Sequence, residues 1–549
     1  VLCFSCYIWN IDYVTDIARE YKKLCPSVPI WVGGPEVSYE VEAFLRENPY
    51  IDGVMIGEGE DTFRELCGYY AHKRKLSDIA GIAFRKNSTG NSTSVNNIGG
   101  NKAGEIVFTS PRPIKNMSEI PFCYDTLDDF SNRIIYYESS RGCPFSCSYC
   151  LSSVDKTLRF RDTEIVKREL KFFIDQKVPQ IKFVDRTFNC NHAHAMELWR
   201  FIKANDNGVT NFHFEISADL LNQEELELIS DMRPGLIQLE IGVQSTNEVT
   251  IKEIHRTMKL ERLKEVVKLI QSGNNIHEHL DLIAGLPYED YDSFGHSFDE
   301  IYELKPNQLQ LGFLKVLKGS YMFEHAAEYG IVYHDKPPYE VMSTKWLSFD
   351  DVIKIKRVED MLEVYYNSGQ FEITMKLMEC IFDSAFEFFQ ELGDFYEANG
   401  YFGMSHSRIR RCEILLEFLA LYLHGCDSDD MASVGLSGNA GDRDNTDFDE
   451  NAQIYKMIQE SLIFDLYYRE NCKSRPVWAT DIGSFKHMTH AYCKNGKLSH
   501  VEPFHYIFPD KHTRKLDELP KYHKEPVWAL FHYDMRDPLD HQALVEYIE

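Results

Sequence analysis

Three cysteines, Cys143, Cys147 and Cys150, lie close together in the segment Arg-Gly-Cys-Pro-Phe-Ser-Cys-Ser-Tyr-Cys. A loop this short can fold its thiolates around one iron–sulfur cluster, since soft sulfur ligands suit iron–sulfur chemistry. Three ligands for four irons would leave one iron open to a small molecule, whereas an electron-transfer cluster is normally closed by four cysteines. The spacing leaves two alternatives open, a zinc site with a remote fourth ligand and three buried structural cysteines.

Strand-like and helix-like segments alternate from residue 133 onward, which predicts a parallel barrel, open or closed. The predicted strands are 133–137, 180–184, 212–217, 236–243, 279–284 and 308–314, and the predicted helices are 162–176, 194–205, 223–232, 260–272 and 293–304. The chemistry of such a barrel lies at the carboxyl ends of its strands. The cysteine loop follows the first strand and therefore belongs to this face.

Tyr149, directly before the last cysteine, completes a motif that resembles the signature of the radical S-adenosylmethionine (SAM) superfamily. Residues 133–315 resemble a radical SAM barrel, with motifs similar to the coproporphyrinogen-dehydrogenase-like branch and the cobalamin-binding group. The resemblance implies that Cys143, Cys147 and Cys150 hold a 4Fe-4S cluster whose fourth iron is chelated by SAM. One electron would then cleave the sulfonium and leave a 5′-deoxyadenosyl radical.

The same resemblance implies a set of SAM contacts at the strand ends. Asp185 stands where the family often has a Gly-Gly-Glu turn and would receive the ammonium group. Arg256 would pair with the methionine carboxylate, because a guanidinium offers a planar fork of donors. Gly285 would let the adenine stack against the backbone. The full set of implied contacts is Tyr149, Asp185, Glu215, Gln244, Arg256, Asp281 and Gly285.

The first segment also alternates strand and helix, which predicts a doubly wound parallel sheet with its ligand beyond the strand ends. Residues 1–75 resemble the rear part of a Rossmann-like cobalamin-binding domain, in which Ser5, Gly33 and Gly34 would line the pocket for the nucleotide tail. The family's Asp-x-His-x-x-Gly motif would lie before Val1, so we interpret this domain as truncated. We therefore expect this chain to bind cobalamin poorly without the preceding part.

The remaining organisation is read from composition and periodicity. Residues 76–125 are expected to form a linker hairpin around a low-complexity loop at 87–104, and residues 126–330 the barrel. Residues 331–549 are expected to form a mainly helical C-terminal extension that caps the barrel mouth, with helices at 349–367, 371–392, 408–424 and 452–470. Residues 427–450 carry eight acidic residues and one basic residue, which predicts a disordered insertion. From Arg475 onward we expect short strands and loops.

The fold class that follows is α/β: a truncated Rossmann-like cobalamin-binding domain, a partial TIM-type (β/α)6 barrel and the mainly helical extension. The chain has 59 basic and 86 acidic residues and a formal net charge of −27. This charge disfavours a nucleic-acid partner, and no run of about 18 apolar residues predicts a membrane span. Fourteen scattered cysteines favour a reducing, cytoplasmic location. The expected partners are an unknown substrate and an electron donor such as flavodoxin or ferredoxin.

Three functions remain open at this stage. The favoured hypothesis is a cobalamin-dependent radical SAM enzyme, for which the resemblance makes methyl transfer to an unactivated carbon the commonest reaction. The second is a radical SAM enzyme whose first domain is a scaffold without cobalamin. The third is a non-catalytic iron–sulfur or electron-transfer module, which would need a fourth cysteine near the loop. Methylthiolation of RNA is disfavoured, since it would require a second three-cysteine cluster and a basic appended domain.

Overall fold

The computed structural model describes residues 1–86, 105–124, 126–127, 130, 133–154, 156–424, 450–493, 498–509, 513, 516 and 518–548. The predictions for the loop at 87–104 and for residues 427–449 of the acidic insertion lie outside the described residues. Within the described ranges, no helix combines the length and the apolar character that crossing a membrane requires.

The first unit is a five-stranded sheet in the order β1-β2-β3-β4-β5, of which the first three strands are parallel and the last two antiparallel. Its strands are β1 (Leu2–Ser5), β2 (Ile30–Gly33), β3 (Gly53–Met55), β4 (Ile82–Arg85) and β5 (Ile106–Phe108). Its helices are α1 (Ile11–Leu24), α2 (Val41–Glu47) and α3 (Glu60–Tyr70).

The predicted hairpin at 76–125 is present, but it is not a separate linker. Strand β4 pairs with β3 and extends the first sheet. Ile82 is buried in one cluster with Trp31 and Leu66, so the hairpin shares the core of the first unit. The hairpin therefore packs onto the first unit, because burial of its apolar strand β4 requires the neighbouring strand β3.

The second unit is a six-stranded, fully parallel sheet in the order β13-β12-β11-β10-β9-β6, as predicted for a partial barrel. Its strands are β6 (Ile135–Tyr137), β9 (Gln180–Phe183), β10 (Asn211–Ile216), β11 (Ile237–Gln244), β12 (His277–Ala284) and β13 (Gln308–Phe313), and a small hairpin is formed by β7 (Ser140–Arg141) and β8 (Arg159–Phe160). The helices are α4 (Thr163–Asp175), α5 (His192–Ala204), α6 (Gln223–Ser230), α7 (Glu248–Glu253), α8 (Leu260–Ser272) and α9 (Tyr291–Tyr302).

Strand β11 shows how the barrel sorts its side chains. Ile237, Leu239, Ile241 and Val243 are buried, while the alternate residues Gln238, Glu240, Gly242 and Gln244 are partly exposed. Successive side chains of a strand point to opposite faces, so one face packs under the helices and the other forms a polar inner surface. This polar surface leads to the strand ends where the candidate site lies.

The C-terminal extension contains both helices and a sheet. Its elements are α10 (Tyr321–His325), β14 (Val332–Tyr333), β15 (Val341–Ser343), α11 (Phe349–Leu362), α12 (Glu372–Met378), α13 (Ala385–Ala398), α14 (Arg408–His424), α15 (Glu450–Arg469), α16 (Lys486–Tyr492), β16 (Ser499–Phe504), β17 (Val527–Arg536) and β18 (Ala543–Ile548). Strands β16 to β18 form an antiparallel sheet, in agreement with the strands expected after Arg475.

The helix predicted over 371–392 is interrupted between Met378 and Ala385. Ser384 caps the second part, because its Oγ accepts from the backbone N–H of Glu387 at 3.0 Å and donates to Asp299 of α9 at 2.7 Å. Phe386 then packs against α9, and one hydrophobic core continues from the barrel into the extension. The barrel and the extension are therefore packed against each other through a continuous core.

Candidate functional site

The three cysteines lie on a loop, residues 139–154, that we call the cluster loop. Cys143 and Cys147 are each only 9% exposed, and Cys150 is partly exposed. The pairing of β7 with β8 closes the base of the loop. Gly142 has a φ of 86°, and a Cβ there would lie 2.6 Å from the carbonyl oxygen of Thr157. The glycine before the first cysteine is thus required by a close backbone approach.

Backbone hydrogen bonds hold the centre of the cluster loop between two helices. The N–H of Ser148 donates to the carbonyl of Ile254 after α7, and the carbonyl of Ser148 accepts from the N–H of Met322 in α10, both at 2.9 Å. The Sγ of Cys143 lies 3.7 Å from the Oγ1 of Thr187. The cluster loop is therefore fixed by the barrel on one side and by the extension on the other.

Arg256 lies over the strand ends beside the cysteines, at the place predicted for it. One Nη atom donates to the phenol oxygen of Tyr149 at 3.2 Å and lies 3.8 Å from the Sγ of Cys147, and the other donates to the carbonyl of Gly242. Burial raises the pKa of the Cys147 thiol, and the charge of Arg256 opposes this shift. Glu253, three residues before Arg256, accepts a hydrogen bond from Tyr329 and makes no ion pair with Arg256.

Buried polar atoms without partners lie near the carboxyl end of the barrel sheet, where Arg256 contacts Cys147. Among the described residues, Gln244 Oε1 and Arg256 Nε are buried and make no hydrogen bond. Asp281 Oδ1 lies 3.2 Å from His279 Nε2 but also makes no hydrogen bond of acceptable geometry. Buried polar groups in proteins are normally satisfied, so these atoms fit a polar ligand with donors and a carboxylate. Together with the three thiols, of which Cys147 contacts Arg256, they fit a cluster that binds SAM.

The described residues contain no group of three or more His, Cys, Asp and Glu side chains arranged as the ligands of a single metal ion. The fit of the cysteines to a cluster rests instead on their shared loop, the burial of Cys143 and Cys147, and the contact of Cys147 with Arg256.

The polar floor of the barrel was missed by the sequence reasoning. Lys182 donates to Glu240 at 2.8 Å, and His213 Nε2 lies 3.0 Å from the same carboxylate. Burial alone would raise the pKa of Glu240, but His213 and Lys182 lower it to about 2. Glu215, a predicted SAM contact on β10, is partly exposed, and burial raises its pKa. Polar residues at every second position of β10 to β12 were the signal that could have revealed this floor.

Two predicted SAM contacts are turned to other partners. Asp185 is fully buried and accepts hydrogen bonds from Ser139 and Ser140, so its oxygens are occupied within the chain. Gly285 has a φ of 88°, and a Cβ there would lie 2.7 Å from the Cγ1 of Val341 in the extension. The ammonium role of Asp185 and the adenine role of Gly285 are thus not supported by the geometry, because burial by other parts of the chain accounts for both residues.

The residues predicted to contact cobalamin lie at the carboxyl edge of the first sheet. Ser5 ends β1 and is exposed, while Gly33 ends β2 beside it. Gly34 has a φ of 115°, and a Cβ there would lie 2.4 Å from the carbonyl oxygen of Cys6. The two strand ends are thus brought together, and their contact with a nucleotide tail remains a prediction.

An ion network joins the first unit to the cluster loop. Arg141 pairs with Glu60 at 2.6 Å and Glu58 at 3.2 Å, and Arg159 pairs with Glu58 at 2.7 Å. Burial alone would raise the pKa of Glu58, but the hydrogen bond from Arg159 and further basic contacts bring it below its usual range. The turn after β3 is thereby held against the base of the cluster loop.

Family comparisons agree with this architecture. The model of the Radical SAM superfamily matches residues 137–301, the B12 binding domain matches residues 1–67, and Protein of unknown function (DUF4080) matches residues 327–542. The chain therefore carries a radical SAM domain and a B12 binding domain. Its C-terminal extension is a domain of unknown function. These matches confirm the predicted combination of domains and, with it, the predicted cofactors: a 4Fe-4S cluster, SAM and cobalamin.

Similar proteins with names point in the same direction. An uncharacterised methyltransferase of Pyrococcus horikoshii is 25% identical over 350 residues, which cover 62% of this chain and 71% of that protein. The cobalamin-dependent radical SAM methyltransferase TokK of Streptomyces tokunonensis is 28% identical over 327 residues, 55% of this chain and 45% of that protein. The matched region therefore spans less than half of TokK.

A solved structure shares the fold over most of the chain. The cobalamin-dependent S-adenosylmethionine radical enzyme OxsB, with aqua-cobalamin and SAM bound, aligns with a TM-score of 0.51 at 16% identity. The alignment covers 85% of this chain and 72% of that one. At this identity the likeness shows the fold alone.

Proposed function

We propose that this protein reductively cleaves SAM at a 4Fe-4S cluster on the cluster loop. It uses cobalamin either to transfer a methyl group to a substrate that is not yet known or in related radical chemistry on that substrate. The observation that carries the proposal is the ion network between Arg141 of the cluster loop and Glu58 and Glu60 of the B12 binding domain. It places the three cysteines and the second cofactor domain on neighbouring surfaces. The name of TokK supports methyl transfer as the reaction.

Each polar group of the site has a task in this proposal. Cys143, Cys147 and Cys150 hold the cluster, and Arg256 holds the carboxylate of SAM with its planar fork. Gln244 and Asp281 accept hydrogen bonds from the ammonium or the ribose hydroxyls. When bound, the cluster supplies the electron that breaks the sulfonium bond and cobalamin supplies a methyl carrier, while the chain supplies orientation and shelter.

Residues 314–347, which lead from the last barrel strand into the extension, supply that shelter, and we call this segment the strap. Val341 covers Gly285 at the end of β12, and its N–H donates to the carbonyl of Leu314 at 2.9 Å. Gly319 lies so close to Tyr39 of the B12 binding domain that a Cβ would be 2.2 Å from the ring. The strap thus closes one side of the barrel mouth and excludes water from the reacting groups.

The proposed environment and partners follow from the same chemistry. Thirteen cysteines of the described residues form no disulfide bond. This suits a reducing cytoplasm, where an oxygen-labile cluster would persist. A flavodoxin or ferredoxin would supply the electron.

The test is anaerobic reconstitution with iron and sulfide, followed by SAM and a reductant. We expect one 4Fe-4S cluster per chain and formation of 5′-deoxyadenosine or S-adenosylhomocysteine. Titration with hydroxocobalamin, followed by absorbance, tests the B12 domain separately. A reconstituted cluster without any SAM turnover would refute the enzymatic proposal. SAM cleavage without cobalamin binding, in a protein extended to include the family's Asp-x-His-x-x-Gly motif, would favour the scaffold hypothesis.

A further inference from the structure

Asp185 follows strand β9 and makes an unusually complete set of hydrogen bonds for one carboxylate. Its side chain is 0% exposed. The N–H of Ser139 donates to Oδ1 at 3.0 Å, the hydroxyl of Ser139 donates to Oδ2 at 3.1 Å, and the N–H of Ser140 donates to Oδ1. Both oxygens are therefore engaged by two consecutive residues of the chain.

These two serines are the start of the cluster loop. Ser139 is also held by other neighbours, since its Oγ lies 3.0 Å from His194 Nε2 and its carbonyl accepts from the N–H of Arg161 at 2.8 Å. Burial lowers the pKa of His194 to about 4, so this imidazole is neutral. The backbone four residues before Cys143 is thus fixed by a buried network rather than by solvent.

The same segment also supports the first cysteine directly. Thr187, two residues after Asp185, places its Oγ1 3.7 Å from the Sγ of Cys143. Asp185 and Thr187 therefore touch the cluster loop before and at its first ligand. A carboxylate that binds two backbone N–H groups makes charge-assisted hydrogen bonds, which are stronger than neutral ones.

We infer that Asp185 is a positioning residue that holds Ser139 and Ser140 so that Cys143 meets the cluster, and that it does not bind the ammonium group of SAM. The inference rests on the proposed function only in that the cluster loop carries a cluster. It assigns to Asp185 a task different from the one that the family resemblance implies.

The extension contains a matched control for this carboxylate. Asp465 is 3% exposed and accepts from the N–H groups of Ile373 and Thr374, each at 2.9 Å, and from the Thr374 hydroxyl at 2.7 Å. The pattern repeats that of Asp185, with two consecutive N–H groups and one hydroxyl. Asp465 holds helix α12 and belongs to the extension rather than to the cluster loop, so Asp465→Asn removes an equivalent interaction without touching that loop.

The experiment compares Asp185→Asn with Asp465→Asn after anaerobic reconstitution. It measures iron and sulfide per chain, the rate of cluster loss to a chelator, the electron paramagnetic resonance spectrum of the reduced cluster, and SAM affinity per cluster. We expect Asp185→Asn to lose its cluster about fivefold faster or more, the effect of weakening one charge-assisted hydrogen bond, and to broaden the spectrum. Asp465→Asn should retain wild-type cluster kinetics despite a similar loss of thermal stability.

SAM affinity per cluster should change less than about twofold in Asp185→Asn, because no SAM contact is removed. A tenfold loss of SAM affinity at wild-type cluster retention would overturn the inference and restore the ammonium role. If Asp185→Asn does not fold, Ser139→Ala decides the question, with faster cluster loss expected and wild-type kinetics refuting it. Cluster retention is measured without turnover, so failure of wild-type SAM cleavage would refute the proposed function alone.

Discussion

The hydroxyl of Tyr339 donates a 2.8 Å hydrogen bond to the carboxylate of Glu36, although 303 residues separate the two in the chain. Both side chains are buried. Glu36 lies two residues after Gly34 in the B12 binding domain, and Tyr339 belongs to the strap. The domain of unknown function is thereby attached to the edge of the sheet where cobalamin contacts are predicted.

Tyr339→Phe should weaken this attachment. The variant leaves a buried carboxylate without its donor, which costs about 1–3 kcal/mol of unfolding free energy. Hydroxocobalamin affinity should fall as the turn after β2 loosens. Tyr329→Phe is the matched control, since the Tyr329 hydroxyl donates to Glu253 at 2.8 Å within the other two units. A cobalamin affinity of Tyr339→Phe equal to that of the wild type would contradict a role for this hydrogen bond in that pocket.

Cys147→Ala should abolish cluster assembly and SAM cleavage together. The thiol is buried at the centre of the cluster loop, and two cysteines cannot complete the three-ligand set. Iron analysis and absorbance after reconstitution measure the outcome. Cys412→Ala, in a buried position of α14, serves as control and should retain the cluster. A Cys147→Ala protein with a full cluster would disprove the assignment.

Arg256→Ala should separate SAM binding from cluster assembly. No cluster ligand changes, so iron content should stay near wild type, while SAM affinity should fall by about 1.5–3 kcal/mol, roughly tenfold to more than a hundredfold. Arg256→Lys should recover only part of the loss, because lysine lacks the planar fork. Arg262→Ala, which removes an exposed pair with Glu265, is the control. Wild-type SAM affinity of Arg256→Ala at full iron content would refute this role.

Asp465 should give the extension a measurable pH dependence. Burial, and to a smaller extent the charge of Glu372, raise its pKa to about 7, whereas a carboxyl in the unfolded chain titrates near 3.9. The folded state therefore binds the extra proton between these values, and this group's contribution to stability falls as the pH rises toward about 7.

The wild-type protein should thus gain stability over Asp465→Asn as the pH is lowered from about 7 to about 5, by at most about 1.4 kcal/mol per pH unit. Denaturant unfolding at several pH values measures this difference. Asp231→Asn, at an exposed site paired with Lys203, should show no such gain. A difference between wild type and Asp465→Asn that does not vary with pH would contradict the shift.

Short sequence patterns predicted the cluster loop and the order of strands and helices in the barrel. The cysteine spacing located the cluster loop, and the alternation of strands and helices gave the six parallel strands. Arg256 was predicted over the strand ends from its place after a short helix. The direction in which Asp185 turns was not predictable, because a carboxylate at a strand end can face either the ligand or the backbone of the preceding loop.

Contacts between segments far apart in the chain explain the features that the sequence did not predict. The hairpin at 76–125 joins the first sheet only because β3 offers it an edge. The helix break before Ser384 depends on Asp299, which lies 85 residues earlier. The network of Glu58 with Arg141 and Arg159 likewise joins separate units. No periodicity within a segment reports such partners.

The contact of Gly319 with Tyr39 bears on how such proteins can be recombined. Gly319 has a φ of 84° and lies so close to the Tyr39 ring that a Cβ would not fit. Only glycine combines this backbone freedom with the lack of a Cβ. If two related genes exchanged only their 3′ portions, the strap of one protein would face the B12 binding domain of the other. A side chain at position 319 could then collide with the ring at position 39. The extension and the B12 binding domain should therefore be inherited as a pair, and chimaeras that divide them should fail even when each half is a sound sequence.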